Sequence, residues 1–322
     1  MADLDASEKL DQLIGALIGD VAEGTRSSDD LAALLGIAGD LRGLPREEFK
    51  LTLGNDLKGV AMNTATSQEA QVREGFHTIT PYIAVKQALE LIEFVKEAFG
   101  AEGSVQGTGS EGGLHAEFLI GDSMVMIGGG EAWRGTPTPT ALHLYVNDVD
   151  EVYQRSLQAG ATSIQDPIED HGERLAGVKD IAGNEWYIAK RLSGSHTAEG
   201  LRTVNVYLHP KGAAQMIDFL KSAFGAEEIA AYYAGPKGPV VHAKIRIGDS
   251  VLEMGEAHGI YQPMPTMFYL YVNDVDEWYK RAVAGGATSM DQPADQYYGD
   301  RTAAVTDDFG NIWYMGTPIK KP

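Results

Sequence analysis

Residues 114 to 120, LHAEFLI, alternate strictly: Leu114, Ala116, Phe118 and Ile120 are apolar, with His115 and Glu117 between them. A period of two predicts a strand with its apolar face against a core and its histidine and glutamate on the opposite face. TITPYIAV (78 to 85), Met124 to Ile127, ALHLYV (141 to 146) and Glu185 to Ala189 also read as strands, with a turn at Gly121-Asp122. Between them the period changes to that of a helix over 87 to 99. A second helix is expected from a cap at Asp148 to a stop at Gly160. The order is strand, helix, three strands, read twice, which predicts an α+β domain of paired βαβββ modules.

The same pattern then returns. LIEFVKEAFGAE (91 to 102) reappears as MIDFLKSAFGAE (216 to 227), HAEFLIGDSMVMIG (115 to 128) as HAKIRIGDSVLEMG (242 to 255), and LYVNDVDEVY (144 to 153) as LYVNDVDEWY (270 to 279). His115 and His242 lie 127 residues apart, as do Gly183 and Gly310, an interval of domain size and far longer than a solenoid repeat. The expected domains are 76 to 193 and 200 to 322. Ahead of them, Leu10, Leu13, Ile14, Leu17, Ile18 and Val21 fall on one helical face, Ser28 can cap a further helix, and Pro45 suits the first turn of another. Residues 1 to 60 are therefore read as a helical accessory segment that packs on the tandem domains or on a second copy of the chain, making a homodimer possible. The polar stretch 61 to 75 reads as a linker.

Composition narrows the function. At 322 residues and 43% hydrophobic content the chain can bury a core in each repeat. A formal charge of −20 argues against nucleic-acid and membrane-surface partners. The absence of cysteine excludes disulfides, thiol nucleophiles and thiolate metal sites. No apolar run approaches a membrane span and MADLDASEKL lacks the basic flank of a secretory signal, so a cytoplasmic protein is expected. GGG at 128 to 130 follows a strand without opening a helix and is no phosphate loop; no nucleophile elbow appears.

TPYIAV, the AFGAE helix end, HAEFLIGDS, LYVNDVDE, AGATS and the GDR…DDFGNIWY ending together resemble the vicinal oxygen chelate superfamily, in particular its PhnB-like, glyoxalase/bleomycin-resistance branch. The likeness covers residues 76 to 320 as two tandem copies. It implies modules curled into cups, with metal-dependent members placing His, Gln or Glu on the first, fourth, fifth and eighth strands. Those positions fall on Thr80, Met126, Ala141 and Tyr187 in the first copy and on Asn205, Glu253, Met267 and Tyr314 in the second. Only Glu253 is a good ligand, whereas a catalytic divalent site needs about three protein donors. No metal or other cofactor is expected.

Strand parity lines the first copy's cup with Tyr82, His115, His143, Tyr145 and Tyr187, and the second's with Tyr207, His242, Tyr269, Tyr271 and Tyr314. Tyrosine walls with a few polar groups suit a small apolar or aromatic molecule. The leading expectation is a non-metal binding protein that sequesters or senses such a molecule. The alternative is a lyase, isomerase or dioxygenase using a metal or using His242 and Glu253 as acid and base, and a third is an interaction protein acting through its N-terminal helices. Glu253, expected beside Tyr314 and Met267, should be desolvated and titrate above the usual carboxylate range. Its structural alternative is a salt link to Lys244 or Arg301, and Arg174 and Arg301 are expected to pair with acidic neighbours. His115 and His242 can also be strand histidines bonded to a neighbouring backbone group or carboxylate.

Overall fold

The structure, a computed structural model, describes residues 72 to 319 except 74, 195, 196, 198, 199 and 237. The expected N-terminal helices lie outside the described residues. Four modules follow one another. The first comprises β1 (Ile79–Val85), α1 (Ala88–Phe99), β2 (Glu102–Thr108), β3 (Leu114–Ile120) and β4 (Ser123–Gly129). The second comprises β5 (Ala141–Tyr145), α2 (Val149–Gln158), β6 (Thr162–Asp170), β7 (Glu173–Lys179) and β8 (Glu185–Arg191). The third comprises β9 (Val204–Leu208), α3 (Ala213–Phe224), β10 (Glu227–Tyr233), β11 (Val240–Ile247) and β12 (Ser250–Met254). The fourth comprises β13 (Met267–Tyr271), α4 (Val275–Ala284), β14 (Thr288–Asp295), β15 (Asp300–Thr306) and β16 (Ile312–Pro318).

Local chemistry sets the boundaries. Asp148 and Asp274 cap α2 and α4, each accepting a hydrogen bond at 3.0 Å from the backbone N–H three residues on. Gly100 and Gly225 end α1 and α3 in the left-handed conformation. None of the helices among the described residues is long and apolar enough to cross a membrane.

The sheets do not follow the sequence repeats. Sheet I runs β14-β15-β16-β13-β1-β4-β3-β2 and sheet II runs β10-β11-β12-β9-β5-β8-β7-β6. Module one therefore pairs with module four, and module two with module three, through antiparallel β1–β13 and β5–β9 ladders. Each cup expected from a single repeat is instead assembled from both. The reason lies at the GDS turns. Asp122 accepts the Thr203 N–H and Ser123 Oγ the Val204 N–H, while Asp249 accepts the Thr78 N–H and Ser250 Oγ the Ile79 N–H, all at 2.8 to 3.0 Å. Each turn thus clasps the first strand of the other repeat. The glycines are required here: Gly121 and Gly248 have φ of 60° and 58°, and a Cβ would lie 2.3 Å from Thr203 Oγ1 and Thr78 Oγ1 respectively.

The helices do keep to the repeats. Phe99 of α1 packs on Trp186 of β8 at 4.6 Å, and Phe224 of α3 on Trp313 of β16 at 4.8 Å. Both indoles are fully buried and donate to Asp180 and Asp307 at 2.9 Å. Repeat one thus joins sheet I to sheet II through its helix layer, and one continuous core runs beneath both sheets. Opposite that core each sheet presents a helix-free face, called face I and face II below.

Candidate functional site

Face I receives Tyr82 and His115 from module one and Tyr269, Tyr271 and Tyr314 from module four. Face II receives His143, Tyr145 and Tyr187 from module two and Tyr207, His242 and Glu253 from module three. The grouping expected by repeat is corrected accordingly: His115 does not share a face with His143, and Glu253 does not share one with Tyr269, Tyr271, Tyr314 or Met267. Parity placed each side chain on the proper side of its strand, but it carries no information about which strands pair.

On face II the parallel β9–β12 ladder sets Tyr207 beside Glu253, and the β5–β9 and β5–β8 ladders set His143 beside Asn205 and Tyr187. His143 Nδ1 lies 2.8 Å from Glu253 Oε2, and His242 Nε2 lies 3.6 Å from Oε1. The Tyr207 hydroxyl lies 3.1 Å from His242 Nδ1. These contacts form a chain, Tyr207–His242–Glu253–His143, whose carboxylate is 2% exposed and whose His242 is 30% exposed. Burial pushes Glu253 up, but His143 and His242 overcome it and hold the carboxyl below its usual range. The upward shift expected from the sequence is overturned because an imidazole is in contact. The partner is neither Lys244 nor Arg301, which pairs with Asp276 and Asp295. Burial lowers His242, so its imidazole is neutral at pH 7.

Around this chain stand aromatic rings. Tyr145 lies 4.5 Å from His143 and donates to Glu173; Tyr187 donates to Glu185 at 2.8 Å. Tyr207 stacks on His209 at 4.7 Å, and His209 on Tyr261 at 5.2 Å. Sequence reasoning missed His209 and Tyr261. His209 continues the parity of Asn205 and Tyr207 one step past the strand, a usable signal; Tyr261 sits between strands and gave none. Two buried imidazole nitrogens, His143 Nε2 and His209 Nδ1, have no hydrogen-bond partner.

Face I repeats the chain with one member moved. Tyr82 Oη lies 3.0 Å from His115 Nδ1, and His115 Nε2 lies 3.3 Å from Glu117 Oε1. The cation here is Arg73, whose guanidinium donates to both Glu117 oxygens at 2.8 and 3.1 Å. Phe76, Met126 and Tyr271 pack together at one end of the face, and Trp133 with Ala84 and Met267 at the other. Arg73 falls at the end of the segment read as a polar linker and Phe76 at the first residue of the expected domain, where nothing periodic marks them.

The resemblance implies a metal donor set at four strand positions. The four strand positions regroup as Thr80, Met126, Met267 and Tyr314 on sheet I and as Ala141, Tyr187, Asn205 and Glu253 on sheet II. Sheet I offers no carboxylate or imidazole there. On sheet II Asn205 spends its amide on the Arg202 backbone and Tyr187 its hydroxyl on Glu185, leaving Glu253 bound to His143. Among the described residues no group of three or more His, Cys, Asp or Glu could hold a metal ion. This donor set does not fit a divalent ion.

The family model of the glyoxalase/bleomycin resistance protein/dioxygenase superfamily matches residues 206 to 315. An uncharacterized protein of Mycobacterium tuberculosis is 32% identical over 149 residues, spanning 41% of this chain and 87% of that protein. One of Mycobacterium bovis is 35% identical over 120 residues, spanning 34% and 78%. Among solved structures, glyoxalase I from Zea mays superposes with a TM-score of 0.57 at 15% identity, covering 74% of this chain and 92% of that one. A dioxygenase described as putative, from Bacillus subtilis, gives 0.51 at 14% identity, covering 74% and 84%. These two likenesses are of fold alone.

Proposed function

Because this chain belongs to the glyoxalase/bleomycin resistance protein/dioxygenase superfamily, we propose that it is a small-molecule binding protein that holds an aromatic ligand on face II without a metal. The observation that supports this reading is the pair of buried, unpartnered imidazole nitrogens, His143 Nε2 and His209 Nδ1, set among the rings of Tyr187, Tyr207 and Tyr261. An unsatisfied buried polar atom costs on the order of 1–3 kcal/mol. A ring-bearing ligand with a hydrogen-bond donor recovers that cost and stacks on the tyrosines. Sequestration or sensing follows from binding alone.

The chain Tyr207–His242–Glu253 favours a second reading, in which the bound molecule is also transformed by proton transfer. Neutral His242 would take the Tyr207 proton at Nδ1 as the phenol oxygen accepts one from the ligand, with Glu253 behind Nε2 stabilising the imidazolium. Calorimetric titration of the dialysed full-length protein with monocyclic aromatics, with and without a hydroxyl or amino donor, tests both. Binding is expected to favour the donor-bearing ring about tenfold and to lose that preference in His209→Phe, the worth of about one hydrogen bond. Conversion of the ligand, followed by mass spectrometry, selects the second reading. Stoichiometric divalent metal that a chelator removes together with binding overturns the first.

A further inference from the structure

The cation on face I comes from outside the repeats. Arg73 belongs to no strand or helix, yet its guanidinium makes a two-pronged contact with Glu117 and lies 4.6 Å over the Phe76 ring. It also reaches the Tyr271 hydroxyl at 3.5 Å, and Phe76 meets Tyr271 edge-on at 5.4 Å. The two halves of this contact differ in how firmly they are built. Glu117 is fixed: 9% of its side chain is exposed, it sits in the β3–β4 ladder opposite Met126, and His115 holds Oε1. Arg73 is 48% exposed and contributes nothing to a ladder. What remains without it is a buried carboxylate with one hydrogen bond, an aromatic floor and a phenol hydroxyl, shaped to a planar cation.

We propose that face I is a binding site for a planar cation, an amidinium or guanidinium, and that Arg73 occupies it as an intramolecular ligand. The forked contact selects for geometry as well as charge, because two parallel N–H bonds match a carboxylate while a single ammonium makes only one. The floor selects too, because the guanidinium lies over the Phe76 ring, a face on which a planar cation stacks. This site is independent of face II, since Glu117 and Tyr271 lie on the other sheet. An incoming cation competes with Arg73, so affinity in the unaltered protein is lowered by the resident group and rises when that group is removed.

The test is complementation. Full-length Arg73→Ala is titrated with benzamidine and with benzamide, its neutral isostere, by calorimetry at low salt. Benzamidine is expected to bind about tenfold tighter than benzamide and about tenfold tighter than it binds the unaltered protein, the worth of one charge-assisted pair. Adding Glu117→Gln is expected to erase the preference. Equal binding of the two probes, or a preference that survives Glu117→Gln, overturns the proposal. Should Arg73→Ala fail to fold, Arg73→Lys takes its place: benzamidine must displace a one-pronged ammonium more readily than the fork, and no gain over the unaltered protein is equally fatal.

Discussion

On face I the carboxylate facing the β3 histidine comes from the same strand, two residues on, whereas on face II it comes from β12 across the ladder. Glu117 is registered opposite Met126, and Lys244 opposite Glu253, so the charge has changed places along one cross-strand rung while the Tyr–His pair stayed where it was. The carboxylate's partner changed with it. On face I that partner is the Arg73 guanidinium, half in water; on face II it is the His143 imidazole, 10% exposed. The same array can therefore be built from either strand, and what distinguishes the faces is whether compensation comes from a displaceable side chain or from the sheet itself. Both carboxyls are held below their usual range, Glu117 by His115 and Arg73 and Glu253 by the two histidines, in each case against the upward push of burial.

The largest way to break that comparison is to remove the two partners. His143→Phe leaves Glu253 buried with only the more distant His242, and the loss of one member of a buried pair costs about 3–5 kcal/mol. Arg73→Ala leaves Glu117 where water can replace the guanidinium, so a cost of about 1 kcal/mol is expected. Urea denaturation of the two variants measures the contrast; equal losses would mean that both pairs are solvated alike.

Acid sharpens the contrast next. Burial lowers His209 to about 4, and the equivalent strand position on sheet I is Ala84. A histidine depressed in the folded state binds its proton more readily when unfolded. Stability is therefore complete above about 6.5 and declines as pH falls towards about 4, by roughly 3 kcal/mol at most. His242 acts in the same direction, and Glu253 adds a loss at lower pH still, because its depressed carboxyl stabilises only while ionised. The gap between unfolding midpoints at pH 7 and pH 4.5 should narrow in His209→Phe. A pH dependence unchanged by that substitution would place the acid sensitivity elsewhere.

Much of this was legible in the sequence for a physical reason. Period-two alternation fixes which side of a strand a residue occupies, so Tyr82, His115, Tyr207, His242 and Glu253 were all assigned to helix-free faces before any strand was paired. Caps were legible because an aspartate before a helix has one favourable bonding pattern. Pairing was not, because a GDS turn reads the same whether it merely reverses the chain or reaches across to Thr78 or Thr203. Hence Glu253 was expected among tyrosines of β13 and β16 and met His143 instead, and the direction of its titration reversed. Arg73 was illegible because its role depends on one long-range contact with Glu117.

The smallest expected effect bears on the two tyrosines that the faces share. Burial raises the phenols of Tyr82 and Tyr207 well above their ordinary value, so each is protonated and donates to its histidine's Nδ1. That fixes the tautomer: Nε2 carries the hydrogen and points at the carboxylate on both faces. Tyr82→Phe and Tyr207→Phe should each lose about 0.5–1.5 kcal/mol of stability, since the bonds are 3.0 and 3.1 Å long. Imidazole 15N shifts should report a mixed tautomer at His115 in one variant and at His242 in the other. Binding of a donor-bearing aromatic should separate them. Tyr207 stands between His143 and His209, and freeing His242 to turn should weaken binding several-fold, while Tyr82→Phe should leave that affinity unchanged. If Tyr82→Phe weakens it equally, the two faces are one coupled site and their division of chemistry does not hold.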